Sequence, residues 1–451
     1  MSPNPGELAV SDTNEAQGQA KQQPITSMLM STVPYWNSQS QAFYYELSFV
    51  TNDRKTRITP EHTAEVLGRY LVQSQLDKYV GPKAGVAINV QFTSTFMDFR
   101  HDINYSRMLV RLPSNQPVTP SVVQQMREMS NFGMSFATDL ETLIREKWLE
   151  HIPRFDYVVL DMHSPNIAKD IIAVQSLKQI QPRLKMLVSN IQSQKEMRVA
   201  FSLGASIVTG SGMYNPLPPC LIKPPYNAST KELFLEQRQL CLLMSFMCAP
   251  KPNIEQINML LRSSFKMWQS INVLAKSIDK SVFFSFKSME DIVKHFGGHG
   301  ARNLISLVVA SLQYDLYNRA TNLNGDRLPD YFKRLLTKAI FIESVCKLYP
   351  YFTPCRDMIF EFVIFHGLDA MVVHRPDKVF RITQDLIKPR CRYLRVLQDL
   401  IILGDALEYV NFRNIRGVAQ KYKLNDLRLV YLHEQAAIKA MDYMMTMKIL
   451  R

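Results

Sequence analysis

The chain has 451 residues, 46% of them hydrophobic, which fits a soluble globular protein and is too much for one ordinary core, so two domains are expected. Its formal charge of +13 is uneven: residues 1–225 carry +2 and residues 226–451 carry +11, which gives the second half an electrostatic preference for acidic partners. Six cysteines (Cys220, Cys241, Cys248, Cys346, Cys355, Cys391) make no C-x-x-C pair and no regular spacing, which argues against a zinc site or a disulfide framework and for buried free thiols.

The opening stretch is polar, without a basic segment or an apolar run, so no secretory signal is expected and residues 1–30 read as a disordered tail. Uninterrupted apolar runs such as 240–244 and 307–310 fall far short of the roughly 20 residues that span a bilayer. The expected compartment is the cytoplasm, with no membrane partner.

Strand and helix signals then alternate. Residues 43–50 (FYYELSFV) predict a strand and 59–75 a helix after Pro60. Strands follow at 85–90, 108–112, 134–138, 155–160, 185–188 and 206–208, with helices at 120–129, 140–150, 167–180 and 195–203 between the later ones. The run 155–162 (FDYVVLDM) is β-branched, apolar and closed by Asp161, so it reads as a buried parallel strand with a carboxylate at its carboxyl end. In a barrel of alternating strands and helices that end carries the chemistry, because strand ends and loops converge there. The expected fold of this half is an α/β barrel of the TIM type, over residues 31–215.

These segments resemble, in order, the EAL domains that hydrolyse cyclic di-GMP, in the form fused to HDOD domains. Residues 33–50 (VPYWNSQSQAFYYELSFV) look like the opening strand pair, with Glu46-Leu47-Ser48 at the signature tripeptide. Ile88-Asn89-Val90 resembles the asparagine-bearing strand, Phe136-Ala137-Thr138-Asp139 the aspartate-bearing strand, 156–161 the strand ending in aspartate, and 208–216 (VTGSGMYNP) the closing segment. The family's chemistry is two-metal hydrolysis by a carboxylate cluster. In this chain the resemblance puts the family's third-strand glutamate at Arg111, its second aspartate at Leu140, its lysine at Val159, its later glutamates at Ser189 and Gln192, and its glutamine at Thr209. No Asp or Glu occurs over 104–126 or 171–195, so a shifted alignment does not restore those acids. Glu46, Asn89, Asp139 and Asp161 remain as vestigial positions, and the resemblance implies a degenerate domain with no catalytic residue, metal or cofactor. Arg111 is then expected to stand in for the missing metal, with its guanidinium against Glu46 and Asp139.

Residues 216–226 (PLPPCLIKPPY) form a proline-rich connector and domain boundary. Beyond it, apolar residues recur at helical spacing at 233–247, 254–261, 265–277, 289–296, 301–318, 328–348, 355–373, 379–385 and 391–403, predicting an all-α domain over 227–451. Its helix order resembles the HDOD domain, through 254–277, 289–307 with Phe296-Gly297-Gly298, 365–371 (FHGLDAM) and 434–441. A working HD site needs histidines and a His-Asp pair around two metals. Here His366 and Asp369 are three apart, and His295 and His299 flank a Phe-Gly-Gly break, so these histidines are expected to be solvent-exposed or capping.

Two basic stretches carry aromatics, 388–395 (KPRCRYLR) and 413–423 (RNIRGVAQKYK). Such stretches are solvated faces or docks for an acidic protein more often than nucleic-acid sites, and Lys388, Arg390, Arg392 and Arg395 are the candidate docking patch. The expectation is a non-catalytic signalling protein acting through protein–protein contact. The alternatives are a receptor that holds cyclic di-GMP without cutting it, and a residual cyclic di-GMP phosphodiesterase.

Overall fold

The computed structural model describes residues 28–39, 42–51, 80–81, 83–91, 104–210, 231–248, 253–321, 328–368, 394–408 and 412–449. The helices expected at 59–75 and 379–385, the connector 216–226, residues 1–27, Cys220, Cys391, Lys388, Arg390, Arg392 and Asp369 lie outside the described residues.

The first half is a closed eight-stranded barrel in sequence order. β1 (Met28–Asn37) pairs antiparallel with β2 (Ala42–Thr51). β3 (Gly85–Asn89), β4 (Met108–Leu112), β5 (Ser135–Asp139), β6 (Tyr157–Asp161), β7 (Lys185–Ser189) and β8 (Ala205–Val208) continue parallel to β2. The ring closes where Trp36 of β1 meets Val208 of β8. β1 begins at Met28, opposite Thr51, so the tail expected over 1–30 loses its last three residues to the hairpin.

Two apolar layers explain why the strands read as continuous hydrophobic runs. Outward residues such as Val86, Ile88, Val110, Phe136, Val158 and Leu160 pack beneath the surrounding helices. Inward residues Tyr35, Tyr44, Ala87, Leu109, Ala137, Tyr157, Val159, Leu187 and Ile207 fill the interior. At its lower end, a Cβ on Gly85 would lie 2.4 Å from the Tyr44 ring, so glycine is what lets that ring plug the barrel.

The barrel helices are α1 (Pro120–Asn131), α2 (Leu140–Leu143), α3 (Glu146–Leu149), α4 (Ile167–Ile180) and α5 (Gln194–Ser202). Thr119 caps α1 by accepting from Val122 N at 3.2 Å, with Pro120 behind it where no amide donor is needed. The single helix expected at 140–150 is instead two short ones, broken where Arg145 turns extended (φ −66, ψ 140). The break lets Arg145 donate to the Ser114 carbonyl at 3.2 Å and turns Trp148 onto Phe155, with ring centroids 5.4 Å apart.

The second half is helical throughout its described residues: α6 (Lys231–Cys248), α7 (Ile254–Arg262), α8 (Phe265–Ile278), α9 (Met289–Thr321), α10 (Leu328–Leu348), α11 (Thr353–Leu368), α12 (Leu394–Glu408), α13 (Phe412–Tyr422) and α14 (Asp426–Thr446). α9 is two helical runs joined at Gly297, whose φ of 71 and ψ of 169 no helix contains. The stretch 413–423, read only as basic, is a helix with Ile415, Val418 and Ala419 buried. Their spacing of three and one is too sparse, between arginines, to stand out by periodicity. One core joins these helices, with Tyr317, Phe332, Phe341, Phe352 and Phe365 fully buried. Cys241, Cys346 and Cys355 are buried and outside any disulfide.

The halves touch on the outer face of β2. Tyr45 is buried there with Lys333 Nζ of α10 5.1 Å above its ring, and Ile438 of α14 packs on the barrel's outer layer. Among the described residues no helix is long and apolar enough to cross a membrane.

Candidate functional site at the barrel mouth

Side chains on a strand alternate between faces, so the residue two beyond each interior apolar residue points to the same side at the carboxyl rim. That step places Glu46 after Tyr44, Asn89 after Ala87, Arg111 after Leu109, Asp139 after Ala137, Asp161 after Val159 and Ser189 after Leu187. The mouth is a ring of one polar residue from each of six successive strands.

On one side of the ring, Arg111 Nη2 donates to Asp139 Oδ1 at 2.7 Å, with the two side chains 23% and 41% exposed. Asn89 pairs with Arg111 across the β3–β4 register. Tyr35 donates from its hydroxyl to Glu46 Oε2 at 2.7 Å. Burial and the Glu46 charge push the Tyr35 hydroxyl well above its ordinary value, so it stays a donor. Burial works against the Arg111 charge, but Asp139, Tyr35 and Glu46 together more than offset it and raise its pKa. Tyr35, Glu46, Arg111 and Asp139 therefore form one electrostatic group.

The other side is tied up locally. Asp161 Oδ1 accepts from the His163 amide at 2.9 Å, and its Oδ2 accepts from Asn190 Nδ2 at 2.7 Å. Asn190 itself sits at φ 61, the left-handed region that asparagine tolerates. Glu196 reaches back to the rim, accepting from the Gln192 amide at 2.7 Å while Ser193 Oγ accepts from the Glu196 amide at 3.2 Å. Ser193 caps α5, and Glu196 reaches one residue past the cap, a variant of the capping box.

Sequence reasoning missed Tyr35, Asn190, His163 and Glu196 at this rim. Only Glu196 left a signal, the S-x-x-E spacing from Ser193. The aspartates and glutamate at the rim do not fit a pair of cations: Asp139 is taken by a guanidinium, Glu46 by a phenol, and Asp161 by an amide of its own turn and the side chain of Asn190 just after β7. Among the described residues no group of three His, Cys, Asp or Glu side chains is arranged to hold a metal ion.

In the helical half His295 and His366 are exposed as expected, and His299 departs from that expectation. His299 Nε2 meets Glu343 at 2.8 Å, and Asn303 and Lys347 hold the same carboxylate at 2.8 and 2.7 Å. The Gly297 turn is what directs His299 toward α10. His295 pairs with Asp279 at 2.9 Å within a cluster of Phe284, Phe286 and Phe296. His366 is exposed and stacks on Phe362. His433, which the sequence reading passed over, is buried against Glu408 at 3.2 Å. Arg395 is exposed on the first turn of α12.

No family model and no curated protein matches the chain. Among solved structures it is similar to a phosphodiesterase, PaMucR, in complex with c-di-GMP, at 14% identity over 42% of this chain and 90% of that one, TM-score 0.34. It is also similar to a standalone EAL protein from Vibrio cholerae bound to c-di-GMP, at 14% identity over 41% and 89% of the two chains, TM-score 0.33. A third is the FimX EAL domain of Xanthomonas citri, at 14% identity over 41% and 86%, TM-score 0.32.

Proposed function

We propose that this chain is a signal-transduction protein in which a degenerate EAL-type barrel no longer hydrolyses its family's nucleotide and a helical, HDOD-like half docks a protein partner. The observation that carries the first part is the Arg111–Asp139 pair inside the mouth. Two-metal hydrolysis needs anionic ligands to hold cations that generate hydroxide and take up phosphoryl charge. A guanidinium at that position repels a divalent cation and occupies a carboxylate that would bind it. The ordered motifs from Glu46 to Asp161, on successive strands of a closed barrel, support the EAL reading. The surplus of +11 in the second half supports a docking role for the helices.

The test is a titration of the purified chain with cyclic di-GMP, once in chelator and once in magnesium, with product analysis. No saturable binding and no linear dinucleotide is the expected result. Saturable binding without turnover would make the barrel a receptor; linear dinucleotide formed in magnesium would overturn the reading.

A further inference from the structure

One end of the helical half carries cations that folding does not use. Tyr422, the last residue of α13, is the hub of that end. Its ring packs on Tyr351 and Phe352, just before α11, at 5.1 Å from each. Its hydroxyl and Lys421 Nζ both donate to Asp399 in the second turn of α12. Three residues on, Asn425 donates its amide to the Tyr349 hydroxyl and caps α14. The starts of α11, α12 and α14 therefore gather around the end of α13.

Each of those three helices carries an exposed arginine in its first turn: Arg356, Arg395 and Arg428, joined by exposed Lys423 in the turn between α13 and α14. A cation there faces the positive end of the helix dipole and destabilises the helix, and neither α11 nor α12 has an acid in its first turn to offset it. Among the described residues none of the four is in an ion pair. Asp399, in the second turn of α12, is engaged by Lys421 and Tyr422. Tyr351 and Tyr431 lie 63% and 59% exposed on the same helix ends.

We propose that this end, formed by Arg356, Arg395, Lys423 and Arg428 with the two tyrosines, is a docking site for a short acidic segment of a protein partner. Three of the four cations are arginines, whose planar forks pair with carboxylates two bonds at a time. The four cations stand at three helix starts and a turn that meet at one end of the bundle, an arrangement that suits a short segment better than the long backbone of a nucleic acid. The proposal rests on the reading of the helical half as the docking module, keeps Arg395 from the 388–395 stretch, and joins to it residues of two other helices and a turn.

The test uses the full chain and two fluorescein-labelled probes, a ten-residue oligoglutamate peptide and a ten-nucleotide dT strand, read by anisotropy. The peptide should bind, and Arg356→Gln, Arg395→Gln, Lys423→Gln and Arg428→Gln together should weaken it by about tenfold or more. Lys169→Gln, Arg183→Gln, Lys195→Gln and Arg198→Gln on the barrel surface should leave it unchanged. Equal weakening by both sets, no peptide binding, or tighter binding of the dT strand would overturn the proposal. A native partner captured equally by the wild type and the helical quadruple variant would also overturn it, while leaving the docking role of the helical half standing.

Discussion

Arg111 places a fixed cation in the mouth, and the proposed loss of hydrolysis rests on it. Its charge is held by Asp139 at 2.7 Å and favoured by Glu46 and Tyr35. Arg111→Glu would leave Glu46, Asp139 and the new carboxylate facing one another with Asn89 beside them, a set of hard oxygen donors of the kind magnesium takes. The variant should lose stability in chelator and regain it with millimolar magnesium, seen as a rise in melting temperature that the wild type lacks; identical melting curves with and without magnesium would refute the substitute role. The positions of Glu46, Asn89, Arg111 and Asp139 were picked out by the resemblance to EAL domains; that they share a face was settled by the strand register. Tyr35 was not picked out, since its reach to Glu46 depends on the β1–β2 register, which the turn between them sets.

At the scale of elements, the buried strands β3 to β8 were readable because parallel strands covered on both faces leave short β-branched runs. The break at Arg145 was hidden, since Leu140 to Leu149 keeps a helical pattern and the interruption comes from where Trp148 and Arg145 find partners. The break in α9 was legible as Phe-Gly-Gly, and its geometry gives a prediction. Gly297 lies at φ 71 and ψ 169, a region open essentially only to glycine, and a Cβ there would meet nothing within 4 Å. Gly297→Ala should therefore cost about 1–3 kcal/mol through backbone strain alone. Denaturant unfolding that shows no loss would mean the turn relaxes, and the His299–Glu343 contact would then be expected to lengthen.

Across the whole molecule, two carboxylates make the helical half sensitive to acid. Burial would raise the Glu343 carboxyl, but bonds and charges from His299 and Lys347 reverse this and hold it at about 2. Glu408 is likewise held at about 2, burial being outweighed by His433, Arg334 and Lys333. Both folded values lie below the roughly 4.3 of an unfolded glutamate, so their stabilisation is present above that pH and is lost as pH falls toward 2. Each contributes on the order of 2–3 kcal/mol at neutral pH. Circular-dichroism melts should fall steeply between about pH 4.5 and 2, and Glu343→Gln should flatten that fall while lowering stability at neutral pH; an unchanged acid profile in the variant would contradict the assignment.

The contact of Lys333 with Tyr45 predicts that the halves behave as a fixed pair. Burial lowers the Lys333 pKa despite Asp330 and Glu408 nearby, and the Tyr45 ring covers the ammonium. In limited proteolysis the first 25 or so residues should be cut before 216–226. Tyr45→Ala should destabilise the chain by about 3 kcal/mol and reverse that order of cleavage; early cutting of the connector in the wild type would show that the contact does not hold the halves.

What the sequence by itself determined were properties that repeat along the chain: the alternation of strand and helix and the change to helices after residue 226. Each follows from a period of two or of 3.6 and needs no knowledge of partners. Tertiary structure alone decided which polar groups meet. Tyr35 with Glu46, His299 with Glu343, His433 with Glu408, and Tyr422 with Asp399 join residues from different elements. A hydrogen bond or an ion pair depends on distances set by packing and register, and these leave no period in the sequence to read.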